Sequence, residues 1–455
     1  MKLRFFPIAM ALILFSPALW ASDFSFTPKD RVLVVAPHPD DEALGAAGAI
    51  QAAVEAGADV HVVYLTHGES NEISALFYQK KPMILKSDFV KVGRVRKREA
   101  VEAMALLGVP EKNLIFFGYP DMGTMPMWER FWSSVKPFRS FFTRINKVIQ
   151  DDDFSSGKYY RAYNITHDFE KVLLDEKPTH IFVTAPFDLN LDHQAAYLFL
   201  TVSLLNLDDE IGPPPAVHLY MIHGHDWPRP RGYLPQEELV PPDVEGAPSP
   251  KWNRYPLTDA QRSLKEDSLL CYDSQLSYSK NFLLSFVRKN EIYAENSPET
   301  VVASSRLSFA SWIAHSGNGE EVRYGAGEKE LFVEIPLLYA LDEMGTFSTN
   351  IFGYKNGVPF TGMPKLRFRL FGDRLFVKDG ARNFFDPGVR FKISAGRLFL
   401  EVPLKSLHDP EVLFVSTRTA KNRMAFDFGS WRVLRIVPEK APAAPPSRQS
   451  VSRKV

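Results

Sequence analysis

Short apolar runs that alternate with helical patterns constrain the fold of this chain more than any other feature. The apolar runs predict five strands, at residues 32–36, 60–66, 114–117, 180–185 and 217–223. The stretches with helical periodicity that follow three of these runs are 43–56, 95–107 and 193–207. Strands and helices that alternate in this way are typical of βαβ units, in which a parallel sheet is covered by helices. We therefore expect a Rossmann-like α/β domain with a mostly parallel sheet and helices on both faces.

The first residues have the pattern of a secretory signal peptide. Lys2 and Arg4 precede an apolar stretch that ends in Ala-Leu-Trp-Ala, so we expect residues 1–21 to be removed. An uncleaved anchor is the alternative, but the stretch is short for a membrane span and contains Pro7 and Pro17. The mature protein is then expected in the periplasm or outside the cell, without a stable membrane anchor.

Charge and cysteine content narrow the functional classes. Lys and Arg together number 54, and Asp and Glu also number 54, so the charge balance does not indicate a nucleic-acid partner. Cys271 is the single cysteine, so no internal disulfide can form and stability must come from burial of the core.

Several segments depart from the α/β pattern. Residues 122–163 are an insertion dense in aromatic residues, which either roofs the catalytic crevice as a lid or packs as a pair of helices. The proline-rich stretch 226–254 predicts a long surface loop. From 299 to 437, apolar residues alternate at a period of two, which indicates an all-β, sandwich-like domain. Residues 438–455 are expected to form a disordered tail.

A polar motif, Pro-His-Pro-Asp-Asp-Glu at 37–42, directly follows the first predicted strand. Open α/β sheets bind their ligands at the carboxyl ends of such strands. His38 and Asp41 are three residues apart, so one helical turn places both against one metal ion, and Asp40 remains free to transfer a proton. The alternative is helix capping, because proline and carboxylates also suit the first turn of a helix.

A second polar cluster, Asn-Leu-Asp-His at 190–193, follows the predicted strand 180–185. His193 is the candidate third ligand, since both clusters are expected at the same edge of the sheet. Two nitrogens, one carboxylate and an open fourth position are typical of a hydrolytic zinc site. Hydrolysis of an ester or phosphoester with magnesium is a weaker alternative, because magnesium prefers oxygen ligands.

These fragments resemble the LmbE/PIG-L family of zinc-dependent N-deacetylases. The resemblance covers roughly residues 30–298, so we place the deacetylase-like domain at 28–298. Four further fragments carry it: Thr-His-Gly-Glu at 66–69, Arg-Lys-Arg-Glu at 96–99, Gly-Tyr-Pro-Asp at 118–121 and Asp-Ser-Gln at 273–275.

The resemblance implies a role for each residue of the two clusters. His38, Asp41 and His193 would bind Zn²⁺, and Asp40 would be the general base. Where some relatives carry a histidine that stabilises the oxyanion, this chain has Asn190, whose amide can donate a hydrogen bond but cannot titrate.

Other polar residues are candidates for contacts around the site. Arg96 resembles the family's arginine that contacts the substrate, and its alternative is an ion pair with Glu99 or Glu69. Asp121 either lines the pocket or caps the insertion, and Asp192 is expected to orient a neighbouring group by hydrogen bonding. His223 and His225 end a predicted strand near the same edge, so either could approach the substrate.

The function expected from these observations is removal of an acetyl or other acyl group from an N-acetylated amino sugar or glycoconjugate. The alternative is a carbohydrate-binding protein that keeps the fold without turnover. The β-rich region weakly resembles sandwich modules of carbohydrate-active proteins. Its phenylalanines either fill the core, which we favour, or stack on sugars: Phe368, Phe376, Phe391, Phe399 and Phe414.

Overall fold

The computed structural model describes the chain from residue 24 to residue 439, with internal gaps. The described ranges are 24–70, 85–132, 136–242, 250–303, 313–317, 320–337, 345–371, 374–380, 382–386, 388–421, 424–425 and 430–439. The predicted signal peptide 1–21 lies outside the described residues, as does nearly all of the predicted tail. Within the described ranges, no helix combines the length and the apolar composition that crossing a bilayer requires.

A seven-stranded sheet organises the N-terminal part of the protein. Its strands are β1 (Arg31–Ala36), β2 (Asp59–Thr66), β3 (Leu114–Tyr119), β4 (His180–Thr184), β5 (Ala216–Tyr220), β6 (Trp252–Pro256) and β7 (Asn290–Glu295). They lie in the order β3-β2-β1-β4-β5-β7-β6. Strands β1 to β5 pair in parallel, and β6 and β7 join as an antiparallel edge. The predicted fold class, a mostly parallel α/β sheet, is therefore confirmed.

Helices cover this sheet. They are α1 (Asp41–Glu55), α2 (Lys86–Leu106), α3 (Thr124–Arg130), α4 (Ala162–Glu176), α5 (Leu191–Asn206), α6 (Asp259–Leu270) and α7 (Asp273–Leu283). Helix α1 lies close to the sheet because it contains glycine: a Cβ atom on Gly45 would meet the ring of Tyr220 at 2.2 Å. This close approach fixes the start of α1, and with it the polar motif, against the end of β1.

The two irregular segments differ in part from their predictions. In the described residues of the insertion 122–163, helix α3 is followed by irregular chain up to the start of α4 at Ala162, so no pair of helices is seen there, and Trp132 and Tyr160 pack into the core. The predicted loop 226–254 ends in strand β6, which begins at Trp252 and pairs with β7. Edge strands can be short and show little periodicity, and this strand follows a proline-rich segment, so the sequence pattern did not indicate it.

The C-terminal part is all-β, as predicted. Its strands are β8 (Glu299–Ala303), β9 (Ile313–Gly317), β10 (Glu320–Ala326), β11 (Glu330–Pro336), β12 (Gly345–Tyr354), β13 (Lys365–Phe371), β14 (Arg374–Asp379), β15 (Arg382–Asn383), β16 (Arg390–Ser394), β17 (Arg397–Pro403), β18 (Val412–Lys421), β19 (Met424–Ala425) and β20 (Arg432–Pro438). The main path of this sheet is β15-β14-β13-β12-β18-β20-β8-β10-β11-β17-β16. It encloses its own apolar core, which includes Phe368 and Leu400.

The two parts also share one hydrophobic cluster. The ring of Trp128 on α3 lies 5.3 Å from the ring of Phe414 and 5.8 Å from that of Trp431, measured between centroids. All three side chains are fully buried. The aromatic insertion therefore joins the α/β part to the β-rich part through its helix.

Candidate active site and metal centre

Three buried side chains converge where β1 and β4 end. His38 Nδ1 lies 3.2 Å from Asp41 Oδ2, His193 Nε2 lies 3.1 Å from the same oxygen, and the two nitrogens are 3.3 Å apart. Strands β2 and β3 and their helices separate His193 from the motif in the sequence, and the parallel pairing of β1 and β4 brings the two together. The structure thus brings the three predicted ligands together at one point.

The spacing of these three atoms fits a tetrahedral metal site. Bonds of about 2.0–2.1 Å from zinc to nitrogen and oxygen place neighbouring ligand atoms roughly 3.3–3.4 Å apart. The observed triangle has almost this edge length, and the side chains of all three residues are at least nine-tenths buried. Two imidazoles and one carboxylate are a donor set that zinc accepts, so the residues fit the ion.

A carboxylate stands behind each histidine of the triangle. Asp121 Oδ1 lies 3.3 Å from His38 Nε2, and Asp188 Oδ2 lies 3.2 Å from His193 Nδ1. Such carboxylates fix the ring orientation and the tautomer, leaving the opposite nitrogen free to bind a metal. Although burial alone would lower the pKa of His193, Asp41 and Asp188 raise it to about 9.

Asp40 occupies a strained position at the start of α1. Its φ is 123°, in the region that residues other than glycine rarely adopt. Glu42 stabilises this backbone conformation, because its Oε2 accepts a hydrogen bond from the Asp40 N–H at 3.1 Å. The hydroxyl of Tyr272 in turn donates a hydrogen bond to Glu42. Asp40 lines the same pocket as His38 and Asp41.

Arg96 pairs with Asp40 rather than with either predicted glutamate. Its Nη2 lies 3.1 Å from Asp40 Oδ2, and its guanidinium also donates to the carbonyls of Pro39 and Gly68. Burial raises the pKa of Asp40 to about 7, against the opposing effect of the Arg96 charge. A carboxylate with a pKa near neutrality can both accept and return a proton.

Two residues of the second cluster, Asn190 and Asp192, make hydrogen bonds to the starts of helices. Asn190 caps α5, since its Oδ1 accepts a hydrogen bond from the Asp192 N–H at 2.8 Å. Asp192 accepts from the backbone N–H groups of Met122 and Thr124, at 2.5 and 3.1 Å, and so positions the start of α3. Its Oδ2 also lies 3.5 Å from His38 Nε2. The expectation that Asp192 orients neighbouring groups agrees with these contacts.

A pocket of about 770 Å³ opens over these residues. Its floor is polar, with His38, Asp40 and Asp41, and its walls are largely apolar, with side chains such as Phe142 and Phe282. The lining also contains Arg96, Asp121, Asn190 and Asp192, whereas the fully buried His193 is not part of it. The volume is that of a small-molecule site.

The two histidines that follow β5 differ in their exposure. The His223 ring lies 4.9 Å from the His193 ring and lines the pocket, whereas the side chain of His225 is 79% exposed. Burial lowers the pKa of His223 to about 4, so this ring is neutral at physiological pH.

Sequence reasoning missed Asp188 and the support behind Asp40. Asp188 stands two residues before Asn190 at a strand end, so its acidic side chain at that edge was the available signal. The link from Tyr272 through Glu42 to Asp40 joins residues far apart in the chain, and no local pattern indicates it.

The fold and site together define an α/β protein with a candidate metal centre at the carboxyl edge of its parallel strands. Residues 33–203 match the family model described as PIG-L, GlcNAc-PI de-N-acetylase. This part of the chain is therefore a PIG-L/LmbE family domain, of a family of deacetylases. The match is shorter than the span 28–298, so those domain bounds remain a prediction.

One curated relative and two solved structures illustrate the similarity. A 1D-myo-inositol 2-acetamido-2-deoxy-alpha-D-glucopyranoside deacetylase from Corynebacterium efficiens is 36% identical over 78 residues, which span 17% of this chain and 24% of that protein. An N,N'-diacetylchitobiose deacetylase from Pyrococcus horikoshii is 19% identical, with a TM-score of 0.34, over 56% of this chain and 75% of its own. A 4-carboxy-2-hydroxymuconate hydratase from Pseudomonas putida is 16% identical, with a TM-score of 0.35, over 63% of this chain and 100% of its own.

Proposed function

We propose that this protein is a zinc-dependent hydrolase that removes an acetyl or other acyl group from an N-acylated amino sugar or glycoconjugate. The single observation that carries the proposal is the triangle of His38, Asp41 and His193 beside the strained Asp40, which lines one pocket together with His38 and Asp41. Zinc bound by this triangle would supply a Lewis acid and lower the pKa of its bound water to about 7.

The residues of the chain supply the proton transfers and the orientation. Asp40 takes the proton from the attacking water and returns it to the leaving amine, and its pKa near 7 suits both steps. Arg96 holds the Asp40 carboxylate through the contact at 3.1 Å, and Asp121 and Asp188 hold the two imidazoles. Asn190 remains the proposed donor to the oxyanion, through its amide nitrogen, because its amide oxygen caps α5.

A sugar substrate is supported by family membership and by the pocket. The curated relative acts on an acetamido sugar, as its name states, but the matching segment spans only about a quarter of that protein. A pocket of about 770 Å³ with a polar floor and apolar walls has room for an amino sugar with its acyl group. We also propose export by the predicted signal peptide, which would place the glycan outside the cytoplasm.

The test is acetate release from a panel of N-acetylated sugars and oligosaccharides by the zinc-loaded protein. The variant Asp40→Asn should lose release by at least about a hundredfold while keeping its zinc, because it removes only the base. Asparagine has the same side-chain shape as aspartate, so the backbone at this position should be no more strained than in the parent. A matched control is Asp209→Asn at an exposed position, which should keep full activity.

The outcomes separate the proposal from its alternatives. Release by the parent that collapses in Asp40→Asn would support the deacetylase. Bound zinc without release from any substrate would favour the non-catalytic carbohydrate-binding protein. Activity that requires magnesium and is indifferent to zinc would contradict the assignment of the two histidines as ligands.

A further inference from the structure

A basic and aromatic surface lies on the hairpin of β13 and β14 in the C-terminal sheet. Its cross-strand pairs are Arg367 with Lys378, Arg369 with Phe376, and Phe371 with Arg374. Side chains that stand directly opposite each other in an antiparallel pair project to the same face of the sheet. These six residues therefore form one continuous surface, which we call the hairpin face.

The hairpin face is directed outward, away from the apolar core. On the opposite side of β13, Leu366, Phe368 and Leu370 are fully buried. On the hairpin face, by contrast, Phe371 is 44% exposed and Phe376 is 51% exposed. The expectation that Phe368 fills the core is confirmed, whereas Phe376 does not fill it. The centroids of the Phe371 and Phe376 rings lie 5.9 Å apart, so the two rings form one exposed apolar area among the arginines.

The hairpin face continues across the sheet towards the catalytic part. Ser348 on β12 pairs with Arg369 on one side and with Arg418 on the other, so a row of side chains crosses four strands over about 14 Å. Arg418 Nη1 lies 3.8 Å from Glu129 of α3, the helix whose first N–H groups bind Asp192. The row thus ends on a helix that begins at the active site.

The charges of this surface are complementary to an anionic partner. Arg369, Arg374 and Lys378 are exposed, and Arg367 and Arg418 extend the positive surface along the row. Arg418 is paired with Glu129 and Arg367 donates to the Gly380 carbonyl, so the charge open to solvent is that of Arg369, Arg374 and Lys378. Because the whole chain carries no net charge, this positive surface is a local concentration rather than a general excess.

We propose that the hairpin face binds an anionic polysaccharide whose sugars carry carboxylates. The arginine guanidinium matches a carboxylate with two parallel hydrogen bonds, and the exposed rings of Phe371 and Phe376 offer flat apolar area to the C–H faces of sugar rings. The choice of a glycan over other polyanions rests on the proposed function. The charge and the exposed rings are observations that do not depend on that function.

The test is equilibrium binding of the full chain to labelled oligogalacturonate. Arg369→Gln and Phe376→Ala should each weaken binding about tenfold, by loss of a charged hydrogen bond or of ring contact. High salt should weaken binding by the parent, and neutral dextran should not compete. Two matched controls on β16, at the other end of the sheet, should leave binding unchanged: Lys392→Gln and Phe391→Ala.

Several results would overturn this proposal. Absence of oligogalacturonate binding, or equal loss in the β16 controls, would remove the hairpin face as its site. Tighter binding of single-stranded DNA or of phosphatidylglycerol vesicles would assign the face to a different class of partner. If Phe376→Ala lowers the melting temperature, the surface variant Arg369→Gln still decides the matter.

Binding and turnover can be tested separately. Asp40→Asn should bind oligogalacturonate as the parent does, and Arg369→Gln should release acetate from small N-acetylated sugars as the parent does. Retained binding with no acetate release from any substrate would contradict only the proposed function. Acetate release without polymer binding would contradict only the hairpin face.

Discussion

Replacement of Asp188 by asparagine tests whether the carboxylates behind the histidines prepare the metal centre. Asp188 Oδ2 lies 3.2 Å from His193 Nδ1 and accepts hydrogen bonds from the N–H groups of Ile222 and His223, at 2.9 Å each. Its Oδ1 accepts from the Asn190 N–H at 2.8 Å. An amide of the same shape must set its own N–H against one of these donors, so the imidazole or the loop loses its partner.

The size of the effect follows from charge and distance. Two unit charges at 3.2 Å in an effective dielectric near 20 attract by about 5 kcal/mol, which is an upper bound. A metal-bound imidazole carries only part of a charge, so the loss should be about 1.4–2.8 kcal/mol, or 10–100-fold in zinc affinity. The neutral amide also favours the tautomer of His193 that protonates Nε2, the nitrogen of the triangle.

The assay is a competition titration with a zinc chelator that reports its own metal binding. Asp188→Asn should release zinc at a chelator concentration 10–100-fold lower than the parent, by this reasoning. Asp175→Asn, on the exposed end of α4, is the matched control and should bind zinc as the parent does. An unchanged zinc affinity in Asp188→Asn, with a normal melting temperature, would refute the role of Asp188.

Three further predictions concern protons and packing. Burial lowers the pKa of Lys365 to about 7, so between pH 7 and pH 10 the unfolded chain binds a proton that the folded protein does not. The free energy of unfolding of the parent should therefore rise by up to about 4 kcal/mol over this range, whereas that of Lys365→Met should lack this rise, both measured by urea unfolding. Trp128→Ala should lower the free energy of unfolding by about 3–5 kcal/mol, and a decrease below about 1 kcal/mol would contradict its place between the two parts. At pH 8 His193, with a pKa of about 9, should release a proton when zinc binds. Calorimetric heats that do not vary with the buffer would contradict this release.

The alternation of strands and helices predicted the α/β sheet because each element carries its own periodicity. All five predicted strands of the N-terminal sheet are observed, and helices α6 and α7 are separated only by a break at Cys271 and Tyr272. The split leaves Tyr272 fully buried, where it donates to Glu42. A tertiary contact of this kind overrides helical propensity, and the local pattern does not encode it.

The ligand triangle was predictable because strand ends in a parallel sheet meet at one edge. The contacts that surround these residues were not predictable, because each contact joins segments that are separate in the sequence. Arg96 reaches Asp40 rather than Glu99 because Glu99 accepts hydrogen bonds from the N–H and the hydroxyl of Ser274. Gly68 makes this reach possible, as a Cβ atom there would lie 1.9 Å from the Arg96 guanidinium.

The backbone at Asp40 favours the proposed role in chemistry over capping for the first polar motif. Asp40 stands at the N-cap position of α1, yet within the described part of the chain its side chain makes no capping hydrogen bond. Asn190, at the equivalent position of α5, does cap its helix. A φ of 123° costs about 1–3 kcal/mol, which a capping residue would not need to bear. The strain has a physical reason only if the carboxylate must point at the pocket, where Arg96 and the ligand triangle meet it.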